Sequence, residues 1–281
     1  MIKIAATVVL YNPNINDLSN IDTYLDDVEK LYIVDNSEQP LNNEIIDNQK
    51  IEYIFNNGNL GIATALNIAA KKAINDGYSW LLTMDQDTKF QKDIIEQIKY
   101  YIERENMSDV GIVTPWHHTF LSITKPTAEI DYPLDVMTSG NFVNLAIYEK
   151  IGGFRDDFFI DGVDIEYCLK LKKNNFNIVR LNYLEIEHNL GDISYATFLG
   201  KKYMCTNHNY LRNYYMARNY RYIRQEYYDI ARDFCTTLVK FKGIVFKIIM
   251  FENDKYRKIR NIFRGIKDYK KGIKGKYNYK D

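Results

Sequence analysis

Short β-branched runs at residues 2–10, 31–34, 51–55, 80–84 and 110–113 alternate with segments whose apolar residues recur at helical spacing. Ile62, Leu66, Ala69, Ala70 and Ala73 form one such stripe, and residues 94–102 carry another. Strand and helix in strict alternation fit a mostly parallel, doubly wound sheet, an α/β fold in which each strand returns through a helix. In such sheets ligands sit beyond the carboxyl ends of the strands. Here those ends carry Tyr11-Asn12, Asp35-Asn36-Ser37, Asn56-Asn57-Gly58-Asn59 and Asp85-Gln86-Asp87. Polar groups therefore collect where a ligand would bind.

The remaining organisation is read from composition. The chain has 281 residues, enough for one elaborated domain with a sizeable core. Residues 1–106 and 107–199 read as two halves of one domain, the second less regular, with a helix at 163–173 and a strand at 178–186. Residues 200–281 form a basic, Tyr-rich helical extension, with amphipathic stretches at 214–234 and 238–251. Lys and Arg outnumber Asp and Glu by 21 to 7 from Gly200 onward, although the whole chain is neutral. A basic tail suits phosphates, an anionic membrane surface or an acidic neighbour, and equally a solvated helical face. Cys168, Cys205 and Cys235 have no C-x-x-C spacing, which argues against a disulfide scaffold or structural zinc and fits a reducing cytoplasm. The first residues run into a turn at Asn12-Pro13 and read as a strand, and no apolar run approaches the roughly 20 residues that span a bilayer.

Two carboxylate sets could carry chemistry. Asp85 and Asp87 end a buried-looking strand, where they can hold a hard cation such as Mg²⁺ or Mn²⁺ or merely end the strand and cap the next helix. Asp161, Asp164 and Glu166 open a helix, where the dipole stabilises them; one of them can also serve as general base. The turn Asn57-Gly58-Asn59-Leu60-Gly61 precedes a helix whose N-terminus is a natural anion site, without a Rossmann fingerprint or a P-loop. His188 lies just past a strand, as a structural hydrogen-bonding group or a ligand.

Taken in order, these segments resemble the inverting family 2 glycosyltransferases of the GT-A fold, and within them the bacterial rhamnosyltransferase-like group of polysaccharide assembly. The resemblance rests on Val8 to Pro13, Ile33 to Ser37, Asn59 to Asn67, Asp85-Gln86-Asp87, Ser139-Gly140-Asn141, Gly152-Gly153-Phe154 with Phe159 to Cys168, and Tyr214 to Asn219. It covers about residues 1 to 220 and implies that residues 1–106 are the nucleotide-sugar-binding half and residues 107–199 the acceptor-binding half of the domain. It implies a nucleotide diphosphate sugar as donor, dTDP-rhamnose in the first instance or a UDP- or GDP-sugar, and a glycan or lipid-linked glycan as acceptor. It places Tyr11, Asn12, Asp35, Asn59, Gly61 and Asp85 on the donor side, and Gly140 and Glu166 on the acceptor side. Asp87, Asp85 and His188 are the implied ligands of Mn²⁺ or Mg²⁺, Asp164 the base and Asp161 its competitor. The chain departs from the pattern at Val163, where many relatives carry an acid.

Two other readings remain. A nucleotidyltransferase would need a glycine-rich, basic loop after its first strand, which Tyr11-Asn12-Pro13-Asn14 is not. A non-catalytic glycan-assembly protein could keep the fold. No feature points to nucleic acid; the tail suggests peripheral contact with the inner membrane face or a homo-oligomer.

Overall fold

The computed structural model describes residues 2–119, 124–187 and 193–278. The nucleotide half supplies strands β1 (Ile4–Leu10), β2 (Lys30–Asp35), β3 (Ile51–Phe55) and β4 (Trp80–Asp85), with helices α1 (Ile15–Ile21), α2 (Ile62–Asn75) and α3 (Ile94–Arg104) between and after them. The next stretch adds β5 (Val110–His118), β6 (Ile130–Asp131), β7 (Asn141–Asn144), α4 (Leu145–Ile151), α5 (Val163–Lys173) and β8 (Asn177–Glu187). All eight strands join one sheet in the order β3-β2-β1-β4-β7-β5-β8-β6.

β1, β2, β3 and β4 pair in parallel, as do β5 and β8. The alternation correctly points to this, but not to β7, a four-residue strand wedged antiparallel between β4 and β5. Its sequence, Asn-Phe-Val-Asn, is too short and too polar at its ends to show a period. The short β6 closes the edge antiparallel to β8.

The central strands are apolar on both faces, as strands covered on both sides must be. Because successive side chains point to opposite faces, Ala5 and Leu81 join one core cluster while Ile4, Ala6, Val8, Leu82 and Met84 join another. The second is covered by α1 and α3, through residues such as Leu18, Ile21, Ile95 and Ile98. The first is covered by α2, whose buried alanines at 63, 65, 69, 70 and 73 let it lie close to the sheet, and by α5.

The chain continues through a hairpin of β9 (Ser194–Phe198) and β10 (Lys201–Cys205), then α6 (Tyr210–Tyr227), α7 (Arg232–Leu238), α8 (Lys242–Phe251) and α9 (Lys255–Lys270). α6 is no appendage: Tyr222, Ile223 and Tyr227 belong to the same core cluster as Ala5 and Leu81. On its other side α6 packs against α9. Among the described residues, no helix is long and apolar enough to cross a membrane.

Candidate active site

At the ends of the parallel strands, the loops after β1, β2 and β4 are tied to one another. Gln86, the middle residue of Asp85-Gln86-Asp87, accepts the Tyr11 N–H at 2.8 Å through its side chain and the Asn20 side-chain N–H at 2.9 Å through its carbonyl. Asn12, at φ 48°, donates its N–H to Ser37 Oγ at 2.8 Å. The Asp35 carboxylate is fully buried and accepts from the Ser37 N–H at 2.9 Å and the Tyr53 hydroxyl at 2.6 Å. Asp35 therefore shapes the loop from beneath instead of facing an open pocket, because a buried anion must take its donors from the protein. Tyr11 is the ring left open to a ligand, 45% exposed.

The glycine-bearing turn calls for a correction. Gly61 has φ 89°, as its position suggests, but a Cβ there would lie 2.5 Å from the Phe159 carbonyl oxygen, and that oxygen accepts the Ile62 N–H at 2.8 Å. The close approach that requires glycine is thus made by the chain's own segment before α5, and the first N–H of α2 is already taken. Asn59 accepts the Gly61 N–H at 2.9 Å through its side chain, fixing the same turn. Asn67, one turn into α2, binds the next motif: it donates to the Phe154 carbonyl and the Asp156 carboxylate, and accepts from the Phe154 N–H and the Tyr148 hydroxyl.

Asp85 is half-buried and Asp87 exposed. The Asp85 N–H donates to Ser139 Oγ at 3.0 Å, and the Gly140 N–H to the Thr83 carbonyl at 2.8 Å. Gly140, at φ 81°, also leaves room for Ile186, whose Cδ1 lies 2.5 Å from where a Cβ would stand. Ser139-Gly140-Asn141 thus braces the end of β4. Burial first, then the neighbouring Asp87, push the Asp85 carboxyl up to about 7, against the pull of Arg212. His188 lies outside the described residues, and among those described no three His, Cys, Asp or Glu groups converge as a metal cage.

The carboxylates of the second set stand on an unusual backbone. Phe159, Asp161 and Gly162 have φ of 66°, 62° and 81°, and two of these are conformations that L side chains disfavour. The segment is over-determined from α6. Asn219 donates to the carbonyls of Phe158, Ile160 and Asp161 at 3.0, 2.9 and 2.8 Å. The fully buried Arg218 donates to the carbonyls of Asp157, Phe158 and Gly275. The Arg-Asn signature at 218–219 is therefore a backbone clamp.

Within that frame the three carboxylates separate. Asp161 Oδ1 accepts two bonds from Arg212, at 3.0 and 2.6 Å; burial pushes its carboxyl up while Arg212 holds it down. Among the described residues Asp164 receives the Ile165 N–H at 2.8 Å alone; burial, with Asp135, Asp161 and Asp85 nearby, pushes it up to about 6. Asp85 is the smallest of the charges that raise Asp164. Glu166 does not join them, which corrects its placement on the acceptor side. Two residues further round the helix it points away, 1% exposed, and accepts from the Tyr227 hydroxyl at 2.5 Å with Lys170 beside it. Arg212 is the site residue that sequence reading misses; its position six residues before Arg218 carries no signal without the α6 geometry.

Comparison with known proteins agrees with this layout. The model of "Glycosyl transferase family 2" matches residues 14–120. The dTDP-rhamnosyl transferase RfbF of Shigella flexneri is 27% identical over 217 residues, covering 71% of this chain and 70% of that protein. The low-salt glycan biosynthesis hexosyltransferase Agl10 of Haloferax volcanii is 23% identical over 193 residues, 62% of this chain and 63% of its own. Among solved structures, S. aureus TarS 1-349 in complex with UDP-GlcNAc superposes with a TM-score of 0.53 at 11% identity, covering 96% of this chain and 92% of that one. GalNAc-T7 with UDP, GalNAc and Mn²⁺ gives 0.57 at 11%, covering 96% and 57%. Residues 14–120 match that family model, both relatives are named as transferases and the fold is that of the GT-A neighbours: the chain is a glycosyltransferase of glycan biosynthesis with the GT-A fold, similar to the family 2 enzymes.

Proposed function

We propose that the chain transfers L-rhamnose from dTDP-rhamnose, with inversion, onto a hydroxyl of a glycan or lipid-linked glycan, with Asp164 as the general base. The observation that carries the base assignment is the contrast between Asp164, bound among the described residues by one backbone N–H, and Asp161, held by Arg212. A carboxyl raised to about 6 is ionised at neutral pH yet basic enough to take the proton of an attacking hydroxyl. The named activity of RfbF supports the rhamnosyl donor; a UDP- or GDP-sugar is the alternative.

Asp85 and Asp87 suit a hard divalent cation. Two adjacent carboxylates, one raised by the other's charge, form a negative site that a cation relieves, and Mg²⁺ or Mn²⁺ commonly takes one or two carboxylates and completes its shell with water and phosphates. Such a cation, when bound, stabilises the charge of the departing diphosphate. Tyr11 offers the nucleobase an open ring, Asn12 and Asn59 hold the loops around it, and Asp164 draws the acceptor proton as the hydroxyl attacks the face opposite the leaving group. A single displacement inverts the anomeric carbon and needs no enzyme nucleophile.

Calorimetric titration with dTDP-, UDP- and GDP-sugars, with Mn²⁺ and then with chelator, tests the donor. Metal-dependent binding of dTDP-rhamnose that is lost in Asp87→Ala is the expected result. Preference for another nucleotide overturns the rhamnosyl reading, and binding unaffected by chelator overturns the metal site.

A further inference from the structure

The tail carries an apolar surface that no part of the proposed reaction uses. α8 is apolar nearly all round; one side, with Phe241 and Ile248, is buried against α6 and α9. The opposite side presents Phe246, Ile249 and Met250, which are 38%, 49% and 39% exposed. Beside it stands the β9–β10 hairpin, joined to α8 by ring contacts of Phe198 and Tyr203 with Phe246 and Phe251, with centroids 5.5 to 6.4 Å apart.

The tip of that hairpin is odd for a water-facing turn. Its two residues, Leu199 and Gly200, have φ of 49° and 74°, the left-handed pair that hairpin turns normally build from Asn or Gly. Leucine is unfavourable there, and its side chain projects 86% exposed. Within these two elements the charged side chains are all lysine, and Glu252, next to Phe251, is buried and paired with Lys258 at 2.8 Å. Residues 193–205 and 240–251 include Lys201, Lys202, Lys240, Lys242 and Lys247 and no Asp or Glu. Apolar side chains in front of a lysine border are what an interfacial anchor needs: the first enter the headgroup region, the second meet lipid phosphates.

We propose that the hairpin tip and the outer face of α8 form a docking wedge for an anionic bilayer surface. α8 packs on α6, the helix that carries Arg212 and clamps the segment bearing Asp161, so the wedge and that carboxylate share one supporting helix.

The test is co-sedimentation of the full chain with vesicles of phosphatidylcholine alone and of phosphatidylcholine mixed with phosphatidylglycerol, without nucleotide sugar. Failure of binding thus leaves the transfer reaction untouched. Binding to the mixed vesicles only, weakened at least about tenfold in Leu199→Asn/Met250→Gln, is expected. Asn suits the left-handed turn, so this variant keeps the hairpin. Lys201→Gln/Lys202→Gln should lose about fivefold per lysine, and high salt should release the wild type. Both variants should keep full transfer to a soluble acceptor. Absence of binding, equal binding to neutral vesicles, or undiminished binding of both variants overturns the proposal. So does a fall in sedimentation coefficient of the first variant in lipid-free buffer, which would make the face a contact between copies of this chain.

Discussion

The two carboxylate sets of this enzyme are held in opposite ways. Asp85 and Asp87 end a central strand whose position is fixed by parallel pairing to β1 and antiparallel pairing to β7. Asp161 and Asp164 stand on a strained segment whose carbonyls are satisfied by side chains of α6, some sixty residues away. The first set needs only the sheet, whereas the second borrows its geometry from the tail. Damage to the tail helix should therefore impair catalysis before it impairs donor binding.

The largest expected effect is at the base. Asp164→Asn should lower kcat by about 10²- to 10⁴-fold with donor affinity unchanged, measured by nucleotide diphosphate release and calorimetry. In stability the sign reverses. A carboxyl whose folded pKa is raised to about 6 weakens the fold as pH climbs from its ordinary value toward 6. Asp164→Asn should thus raise Tm at pH above about 6, with the gain vanishing below about pH 4.

Next comes the clamp. Asn219→Ala removes the side-chain donor to the Ile160 and Asp161 carbonyls, while Arg218 still reaches that of Phe158, and should cost about 2–4 kcal/mol in denaturant unfolding. Donor binding at Asp87 should outlast activity in this variant; parallel loss of both would erase the contrast between the two sets. Gly61→Ala tests where the two halves touch. Its positive φ and the Phe159 carbonyl leave no room for a methyl, so a cost of about 1–3 kcal/mol and a lower kcat are expected. The smallest effect is at Arg212→Gln. Removing a cation near Asp164 raises that carboxyl further, so the acid limb of the pH–rate profile, expected near pH 6, should move to higher pH. A shift in the other direction would separate Arg212 from the base.

The same contrast decides how much is legible in the sequence. The strand at 51–55 and the helix at 163–173 emerge at their expected bounds, and β4 ends one residue later than expected, because apolar runs bounded by polar residues record their own period. The base competitors are visible as types but not separable, since what distinguishes them, Arg212 reaching Asp161 from about fifty residues downstream, is a tertiary fact. Gly61 is recognisable as a left-handed glycine, yet the neighbour it accommodates comes from about a hundred residues downstream. The stretch at 214–234 resolves into α6 and α7, and the Arg-Asn pair within it is visible in the sequence as part of the resemblance, without the carbonyls it holds.

Single-turnover transfer by Asp164→Asn and Asp161→Asn, each saturated with donor and Mn²⁺, separates the two candidate bases. Asp164→Asn should bind donor like the wild type and transfer at least about a hundredfold more slowly, while Asp161→Asn retains the greater rate. A fast Asp164→Asn beside an inactive Asp161→Asn would refute the assignment and make the arginine-held carboxylate the base.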